Sequence, residues 1–320
     1  MKRIAVLTSG GDSPGMNTAI RAVVRGAIYN DMEVYGIKRG YEGLIAGDIS
    51  EMNVSSVSDI IQRGGTVLHT ARSAHFMESE GFKRATDMLE NFEIEGLVVI
   101  GGDGSLNGAL KLAKAGKAVV GLPGTIDNDL GYTDYTIGFD TSVNTVLSAI
   151  SNIRDTSSSH ERSTVIEVMG RNCGDIALHA ALCGGAEAVL IPEIEPSING
   201  LCRTLIQGKN RGKRHSIIIK AEGVKIPTQE LADIITERTG LETKAVVLAY
   251  IQRGGAPTGR DRMLASQMGY KAVELLRDDV INRAVGIRGN EITHYDLEEA
   301  LAMKREVNQG VSDLAEILSI

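Results

Sequence analysis

The chain has 320 residues, a formal net charge of -7 and three cysteines without CxxC spacing. This length suits one large domain or two ordinary ones, and we expect two. The negative charge gives no general attraction to nucleic acid or to an anionic membrane, so the composition argues against a nucleic-acid-binding protein. The cysteine pattern argues against a disulfide framework and a zinc site, and it favours a reducing compartment.

No targeting or membrane segment is predicted. The first apolar run is short and turns into glycines at residue 10, which does not fit a signal peptide. No apolar stretch approaches the roughly 20 residues that span a bilayer. We therefore expect a soluble, cytoplasmic protein without a membrane partner.

Short apolar runs rich in β-branched residues recur along the chain, and each precedes a glycine-rich turn and a helical pattern. This alternation predicts βα units around largely parallel sheets, and hence an α/β fold with function at the carboxyl ends of strands. A helical pattern over 140–154 is a candidate hinge between two halves. The predicted strands are 4–8, 34–37, 97–100, 118–122, 164–168, 188–191, 216–219 and 245–249.

The predicted strand 97–100 runs into GGDGS, residues 101–105. Residues without side chains at such a junction let phosphate oxygens approach backbone N–H groups and the positive end of a helix. Asp103 in the same turn is an oxygen ligand that suits Mg²⁺ on those phosphates. A purely structural turn is the alternative. The glycine-rich segment TSGGDSPGMN, residues 8–17, is a candidate second wall of a nucleotide pocket.

Two common nucleotide-binding signatures are missing. The segment 102–108 reads GxGxxxG, one residue away from the dinucleotide fingerprint, and no GxxxxGK[ST] occurs. A nicotinamide enzyme and a P-loop protein are therefore both disfavoured.

The segment PGTIDND, residues 123–129, places Asp127 and Asp129 in a turn after the predicted strand 118–122. Turn chemistry alone explains such residues. The alternative is that one carboxylate accepts a proton from a phosphoryl acceptor while the other assists it. Like charges raise each other's pKa, so a metal or a cation such as Arg171 is needed nearby.

Taken together, the motifs resemble bacterial ATP-dependent 6-phosphofructokinase over essentially the whole chain. The resemblance implies two Rossmann-like βα domains with the active site in the cleft between them. It implies an ATP-binding domain over 1–138 and about 252–305, and a sugar-phosphate-binding domain over 139–251 and about 306–320. The motifs are TSGGDSPGMN, IQRGGT, GGDGS, PGTIDND, TIGFDT, IRDTSSSHER, EVMGR, GGAE, RGKRHS, AEG and IQRGG.

The resemblance also implies the residues of the reaction, which transfers the γ-phosphoryl of Mg-ATP to the 1-hydroxyl of fructose 6-phosphate in glycolysis. Asp127 is then the base, supported by Thr125 and Asp129, with Arg171 and Arg72 facing the transferring phosphate. The implied ATP residues are Gly11, Arg72, Ser73, Gly102, Asp103, Gly104 and Ser105, with Asp103 on Mg²⁺. The implied acceptor residues are Thr125, Ile126, Asp127, Arg162, Met169, Gly170, Arg171, Glu222, Lys244, Tyr250 and Arg253.

Glycines at positions 104 and 124 favour ATP as the donor. Pyrophosphate-dependent relatives usually carry Asp and Lys there, and a side chain would occupy space that the ATP phosphates need.

A homotetramer with shared active and effector sites is implied as well, with Arg162 and Lys244 reaching in from a neighbouring subunit. The effector is ADP or phosphoenolpyruvate, and solvated basic surfaces are the alternative for these residues. The implied effector residues are Arg21, Arg25, Val54, Ser58, Asp59, Arg154, Gly185, Glu187, Arg211, Lys213, Arg214 and His215.

Four positions depart from the family pattern. Lys244 and Tyr250 stand where Arg and His are common, and Val54 and Arg211 differ from residues in some effector sites. Lysine keeps the charge but loses the planar fork of arginine. Two other functions therefore stay open: a kinase of the same fold for another sugar phosphate such as tagatose 6-phosphate, and a regulatory binding protein with weak turnover.

Overall fold

The computed structural model describes residues 1–319, so residue 320, the last of the predicted sugar-phosphate-binding domain, lies outside the described residues. The chain divides into two compact units. Unit 1 comprises residues 1–126, 130–141 and 253–304. Unit 2 comprises residues 127–129, 142–252 and those from Arg305 onward.

Unit 1 is built on a seven-stranded sheet with the order β11-β10-β5-β4-β1-β2-β3. The strands β10, β5, β4, β1 and β2 are parallel, and the antiparallel strands β3 and β11 form the two edges. Its strands are β1 (Arg3–Ser9), β2 (Glu33–Ile37), β3 (Ile49–Glu51), β4 (Gly96–Gly101), β5 (Ala118–Pro123), β10 (Arg283–Arg288) and β11 (Glu291–Asp296).

Helices cover both faces of this sheet, which explains why its central strands read as unbroken apolar runs. Along β1, Ile4 and Val6 belong to one buried cluster, whereas Ala5 and Leu7 belong to another. Successive side chains point to opposite faces of a strand, so the two clusters are the two faces of one sheet. The helices of unit 1 are α1 (Met16–Tyr29), α2 (Gly40–Ala46), α3 (Ser79–Asn91), α4 (Asp103–Lys114), α9 (Gly259–Arg277) and α10 (Leu297–Ala302).

Unit 2 is built on a four-stranded parallel sheet with the order β7-β8-β6-β9. Its strands are β6 (Ser163–Val168), β7 (Ala188–Leu190), β8 (Ser216–Ala221) and β9 (Thr243–Val247). Its helices are α6 (Asp175–Gly184), α7 (Ile198–Asn210), α8 (Thr228–Thr239) and α11 (Gln309–Ile317), together with α5 (Phe139–Ser159), which begins in unit 1.

The predicted α/β class and all eight predicted strands are confirmed. The last of them is shifted, because β9 ends at Val247 and a 3-10 helix, Ala249–Arg253, begins where strand was expected. The sequence analysis missed β3, β10 and β11. The edge strands β3 and β11 read as mixed polar sequences, whereas β10 holds a largely buried apolar run of only four residues between two arginines. Within residues 1–319, no helix is long and apolar enough to cross a membrane.

Candidate active site

Asp127, which follows β5, forms an ion pair with Arg171, which follows β6. Oδ2 of Asp127 lies 3.2 Å from Nε of Arg171. The Asp127 side chain is only 4% exposed, whereas that of Arg171 is 53% exposed. A buried carboxylate is therefore reached by a cation that borders solvent, and burial strengthens their attraction. The structure brings together the two residues that sequence analysis assigned to proton acceptance and charge stabilisation.

The turn that carries Asp127 is held by its neighbour Asn128. Asn128 is buried, has a φ of 53° and donates from Nδ2 to Oδ2 of Asp175 at 2.8 Å. Arg305 donates from Nη2 to the same oxygen at 2.6 Å. This buried network fixes the backbone between Asp127 and Asp129, and sequence analysis did not identify it. The one local signal was Asn between two acidic residues, since Asn tolerates the left-handed conformation.

Met169, Gly170 and Arg171 form a tight turn after β6, and Glu222 holds it. Oε1 of Glu222 accepts the N–H groups of Gly170 at 3.2 Å and Arg171 at 2.8 Å. Gly170 has a φ of 134° and Arg171 one of 53°, both in the left-handed region. That conformation costs a non-glycine residue about 1 kcal/mol or more. Glu222, a predicted acceptor residue, thus positions the arginine that pairs with Asp127.

Gln252 links this turn to the segment after β9. It is completely buried, accepts the N–H of Met169 on Oε1 at 3.1 Å and donates from Nε2 to the carbonyl of Ala249 at 2.9 Å. Ala249 also has a left-handed backbone, with a φ of 48°. The side chain therefore supports two strained segments at once. Sequence analysis included Gln252 only as a letter of the IQRGG motif.

GGDGS begins helix α4 in unit 1 rather than forming a loop before it. Gly102 caps the helix with extended backbone, and Asp103 is its first residue. Asp103 is exposed, and its Oδ1 accepts a hydrogen bond from Nδ2 of Asn107 at 3.1 Å. A Cβ on Gly104 would meet no atom within 4 Å, so the surface beside Asp103 is open to a ligand. The first backbone N–H groups of a helix point outward along its axis, so the start of α4 suits an anion.

Among the other residues predicted for ATP, Gly11 lies beneath the guanidinium of Arg253, whose Nη1 fills the space of a Cβ. Arg253 was predicted for the acceptor, and both residues belong to unit 1. Ser73 donates to Oε2 of Glu42 at 2.7 Å. Its hydroxyl is therefore engaged within the protein, while Arg72 is exposed.

Asp103 is the predicted magnesium ligand, and it stands apart from other candidate ligands. Among residues 1–319, no three His, Cys, Asp or Glu side chains form a cluster that could hold a metal ion. Mg²⁺ usually takes one or two protein carboxylates and completes its shell with phosphate oxygens and water. A single exposed carboxylate at a helix start fits that mode, and it does not fit a cage made by protein alone.

Arg162 and Lys244, predicted to bind the sugar phosphate, share one carboxylate of their own chain. In these ion pairs, Nε of Arg162 lies 2.9 Å from Oε2 of Glu242, and Nζ of Lys244 lies 2.9 Å from Oε1. Lys244 and Arg162 hydrogen bonds lower the pKa of Glu242, so the carboxylate stays charged. Tyr250 is 77% exposed. A phosphate that binds these cations therefore competes with Glu242.

The predicted effector residues fall into two groups. In unit 2, Glu187 is buried and pairs with Lys213, and both line a cavity of about 130 Å³ together with Arg211. Arg154 donates to the carbonyls of Gly184 at 2.5 Å and Gly185 at 3.0 Å. Arg214 and His215 lie in the same unit, whereas Arg21, Arg25, Val54, Ser58 and Asp59 lie in unit 1.

All three cysteines are free thiols. Burial and the nearby Asp175 charge raise the pKa of Cys173 to about 12, which keeps this thiol protonated at neutral pH. Cys202 is buried and Cys183 is exposed.

Comparison with known proteins gives consistent results. The family model described as phosphofructokinase matches residues 3–276. The chain is 60% identical to an ATP-dependent 6-phosphofructokinase of Alkaliphilus metalliredigens over 100% of both chains. It is 59% identical to an ATP-dependent 6-phosphofructokinase of Clostridium botulinum, again over 100% of both. A phosphofructokinase structure from Saccharomyces cerevisiae superposes with a TM-score of 0.90 and 35% identity, covering 100% of this chain and 48% of the yeast chain. This chain thus spans about half the length of the yeast chain.

Proposed function

Because this chain belongs to the phosphofructokinase family, we propose that it is an ATP-dependent 6-phosphofructokinase. It transfers the γ-phosphoryl of Mg-ATP to the 1-hydroxyl of fructose 6-phosphate and yields fructose 1,6-bisphosphate in glycolysis. The observation that carries the proposal is the buried Asp127 carboxylate, with Nε of Arg171 at 3.2 Å. Identity of 60% and 59% over full length to two proteins named ATP-dependent 6-phosphofructokinase supports it.

The two charged groups divide the work of the reaction. Asp127 accepts the proton of the attacking 1-hydroxyl and orients that oxygen, which is the role of a general base. Arg171 faces the phosphoryl group and offsets the negative charge that spreads over its oxygens. Phosphoryl transfer needs positioning and charge stabilisation rather than a covalent enzyme intermediate. Glu222, Gln252 and Asn128 therefore matter because they fix the backbone that carries these two side chains.

The donor is held by unit 1. The N–H groups at the start of α4 and the open surface at Gly104 suit closely approaching phosphates. Asp103 would hold Mg²⁺ together with the phosphates, and the bound ion neutralises charge on the transferring group. The absence of a side chain at positions 104 and 124 supports ATP over pyrophosphate.

We also propose a cytoplasmic homotetramer whose turnover responds to a nucleotide or phosphoenolpyruvate effector. The support is the resemblance of the effector residues to those of the family, together with the cavity that Glu187, Arg211 and Lys213 line, since its two cations suit an anionic ligand. Light scattering of the purified protein, with and without ADP, tests the assembly. ADP activation curves for Arg21→Ala and Lys213→Ala test the site.

The direct test is a coupled assay of ADP release with Mg-ATP and saturating fructose 6-phosphate. Parallel reactions replace ATP by pyrophosphate, or the acceptor by tagatose 6-phosphate. We expect rapid turnover with ATP and fructose 6-phosphate, and a much lower kcat/KM for the other combinations. A preference for tagatose 6-phosphate would instead indicate that Lys244 and Tyr250 change the acceptor specificity. ADP binding without turnover would indicate a regulatory protein.

A further inference from the structure

Buried Lys220 and partly buried Glu167 form an ion pair that the proposed chemistry does not use. They are direct partners in the parallel register of β6 and β8. Nζ of Lys220 donates to Oε2 of Glu167 at 2.9 Å. The Lys220 side chain is 2% exposed, and its other contact is the carbonyl of Ala221 at 3.5 Å. Lysine is almost never buried this completely without a partner, so the site is organised around Glu167.

The carboxylate of Glu167 uses only one of its two oxygens within unit 2. The hydroxyl of Thr228 donates to the same Oε2 that accepts Lys220. Oε1 accepts no hydrogen bond from the described residues, 1–319. Burial pushes the pKa of Glu167 up, but the Thr228 and Lys220 hydrogen bonds and the Lys220 charge outweigh it and lower the pKa overall. Glu167 therefore presents one charged, unused acceptor oxygen.

Glu167 lines a cavity of about 210 Å³ at the carboxyl ends of β6, β8 and β9. Met169, Glu222, Val247 and Tyr250 also line it, and no Lys or Arg does among the described residues. The cavity lining therefore offers no cation to a phosphate, whereas its carboxylate oxygens accept hydrogen bonds from neutral donors. The apolar walls suit the carbon face of a small polyhydroxyl compound.

We propose that Glu167 is a specificity-determining residue that accepts a hydrogen bond on Oε1 from a hydroxyl of the acceptor sugar in this cavity. Lys220 and Thr228 hold the other oxygen and so orient the carboxylate. The proposal rests on the proposed function, since it assumes a sugar-phosphate acceptor. The phosphate of that acceptor stays outside the cavity, beside cations. A bound sugar displaces water from Oε1, and an acceptor that is desolvated without gaining a donor carries a penalty, so the site rejects a sugar that lacks the hydroxyl.

The test is calorimetric binding of fructose 6-phosphate and its singly deoxygenated analogues to the intact protein. Wild-type protein is compared with the double variant Glu167→Leu/Lys220→Met, because replacing both members of a buried ion pair by apolar groups avoids an isolated charge. For one analogue, we expect wild type to lose about ten- to a hundredfold in affinity. The double variant should bind fructose 6-phosphate about ten- to a hundredfold more weakly than wild type does. It should bind this analogue with the same affinity as it binds fructose 6-phosphate.

A control variant, Glu298→Gln, removes an exposed ion pair with Lys114, whose atoms are 2.6 Å apart, and should discriminate the analogues like wild type. If the double variant unfolds at the wild-type temperature and still rejects the same analogue, Glu167 serves only to neutralise Lys220 and the proposal is wrong. If wild type binds no hexose phosphate, the proposed function fails together with the inference. If wild type turns over fructose 6-phosphate but the double variant still prefers it to the analogue as strongly as wild type does, the inference alone is overturned and the proposed function stands.

Discussion

The guanidinium of Arg253 occupies the space that a Cβ on Gly11 would need. Gly11 was predicted to contact ATP and Arg253 the acceptor, so one contact inside unit 1 connects the two predicted sets. A methyl group at position 11 can be accommodated only if the arginine moves, and a flexible side-chain end moves at small cost to folding. Glycine at position 11 thus leaves room for Arg253 in its observed position.

We expect Gly11→Ala to leave the unfolding temperature nearly unchanged and to raise KM for fructose 6-phosphate roughly tenfold, because Arg253 loses its position. Steady-state kinetics of four proteins measure this: wild type, Gly11→Ala, Arg253→Ala and the double variant. In the Arg253→Ala background, the glycine substitution should have little further effect on this KM. Full additivity of the two changes would show that Gly11 acts independently of Arg253.

Gly104 offers a test of donor choice without a folding penalty. A Cβ at this position meets no atom within 4 Å, whereas one on Gly124 would lie 2.9 Å from Cγ2 of Ile100. We expect Gly104→Asp to lower kcat/KM for ATP by about a hundredfold, because a carboxylate would face the phosphates. The unfolding temperature should not change. Gly259→Ala, also in open space, serves as the control, and wild-type ATP kinetics in Gly104→Asp would contradict the phosphate site at α4.

Asp261 makes stability depend on pH. It is almost completely buried and accepts the N–H of Gly138 at 2.9 Å and of Thr141 at 2.8 Å. Burial raises its pKa to about 6 despite these hydrogen bonds. The folded state therefore binds more protons than the unfolded chain between about pH 4 and 6, and the stability from Asp261 is fully present below about pH 4 and declines as pH rises through 6.

The measurement is urea unfolding of wild type and Asp261→Asn at several pH values. The difference in unfolding free energy, wild type minus variant, should fall by on the order of 2 kcal/mol between pH 4 and 7. A difference that stays constant over this range would show that Asp261 has an ordinary pKa in the folded protein.

The central strands were predictable because burial on both faces leaves a long apolar run in the sequence. The hairpin of β10 and β11 was not found, although Gly289 and Asn290, both with positive φ, form a recognisable two-residue turn. β11 mixes polar and apolar residues and the apolar run of β10 is only four residues long, so neither strand was recognised.

The candidate site was predictable where its residues lie within one motif. Asp127 and Arg171 belong to short segments with clear chemistry. The contact of Asp175 with Arg305 joins residues 130 positions apart, and the pairing of Glu167 with Lys220 depends on strand register. Neither relationship has a local signal, because both arise only when distant segments pack together.

The most direct test of the account is kcat of Asp127→Asn with saturating Mg-ATP and fructose 6-phosphate, alongside calorimetric ATP binding. The amide keeps the shape of the side chain but cannot accept the proton from the 1-hydroxyl, and it loses the charge paired with Arg171. We expect kcat to fall by about 10²- to 10⁴-fold while the Kd for ATP stays within about twofold of wild type, since the proposed phosphate-binding segment at α4 lies in unit 1 and Asp127 in unit 2. The exposed Asp278→Asn should behave as wild type. A near-wild-type kcat in Asp127→Asn would contradict the assignment of Asp127 as the base.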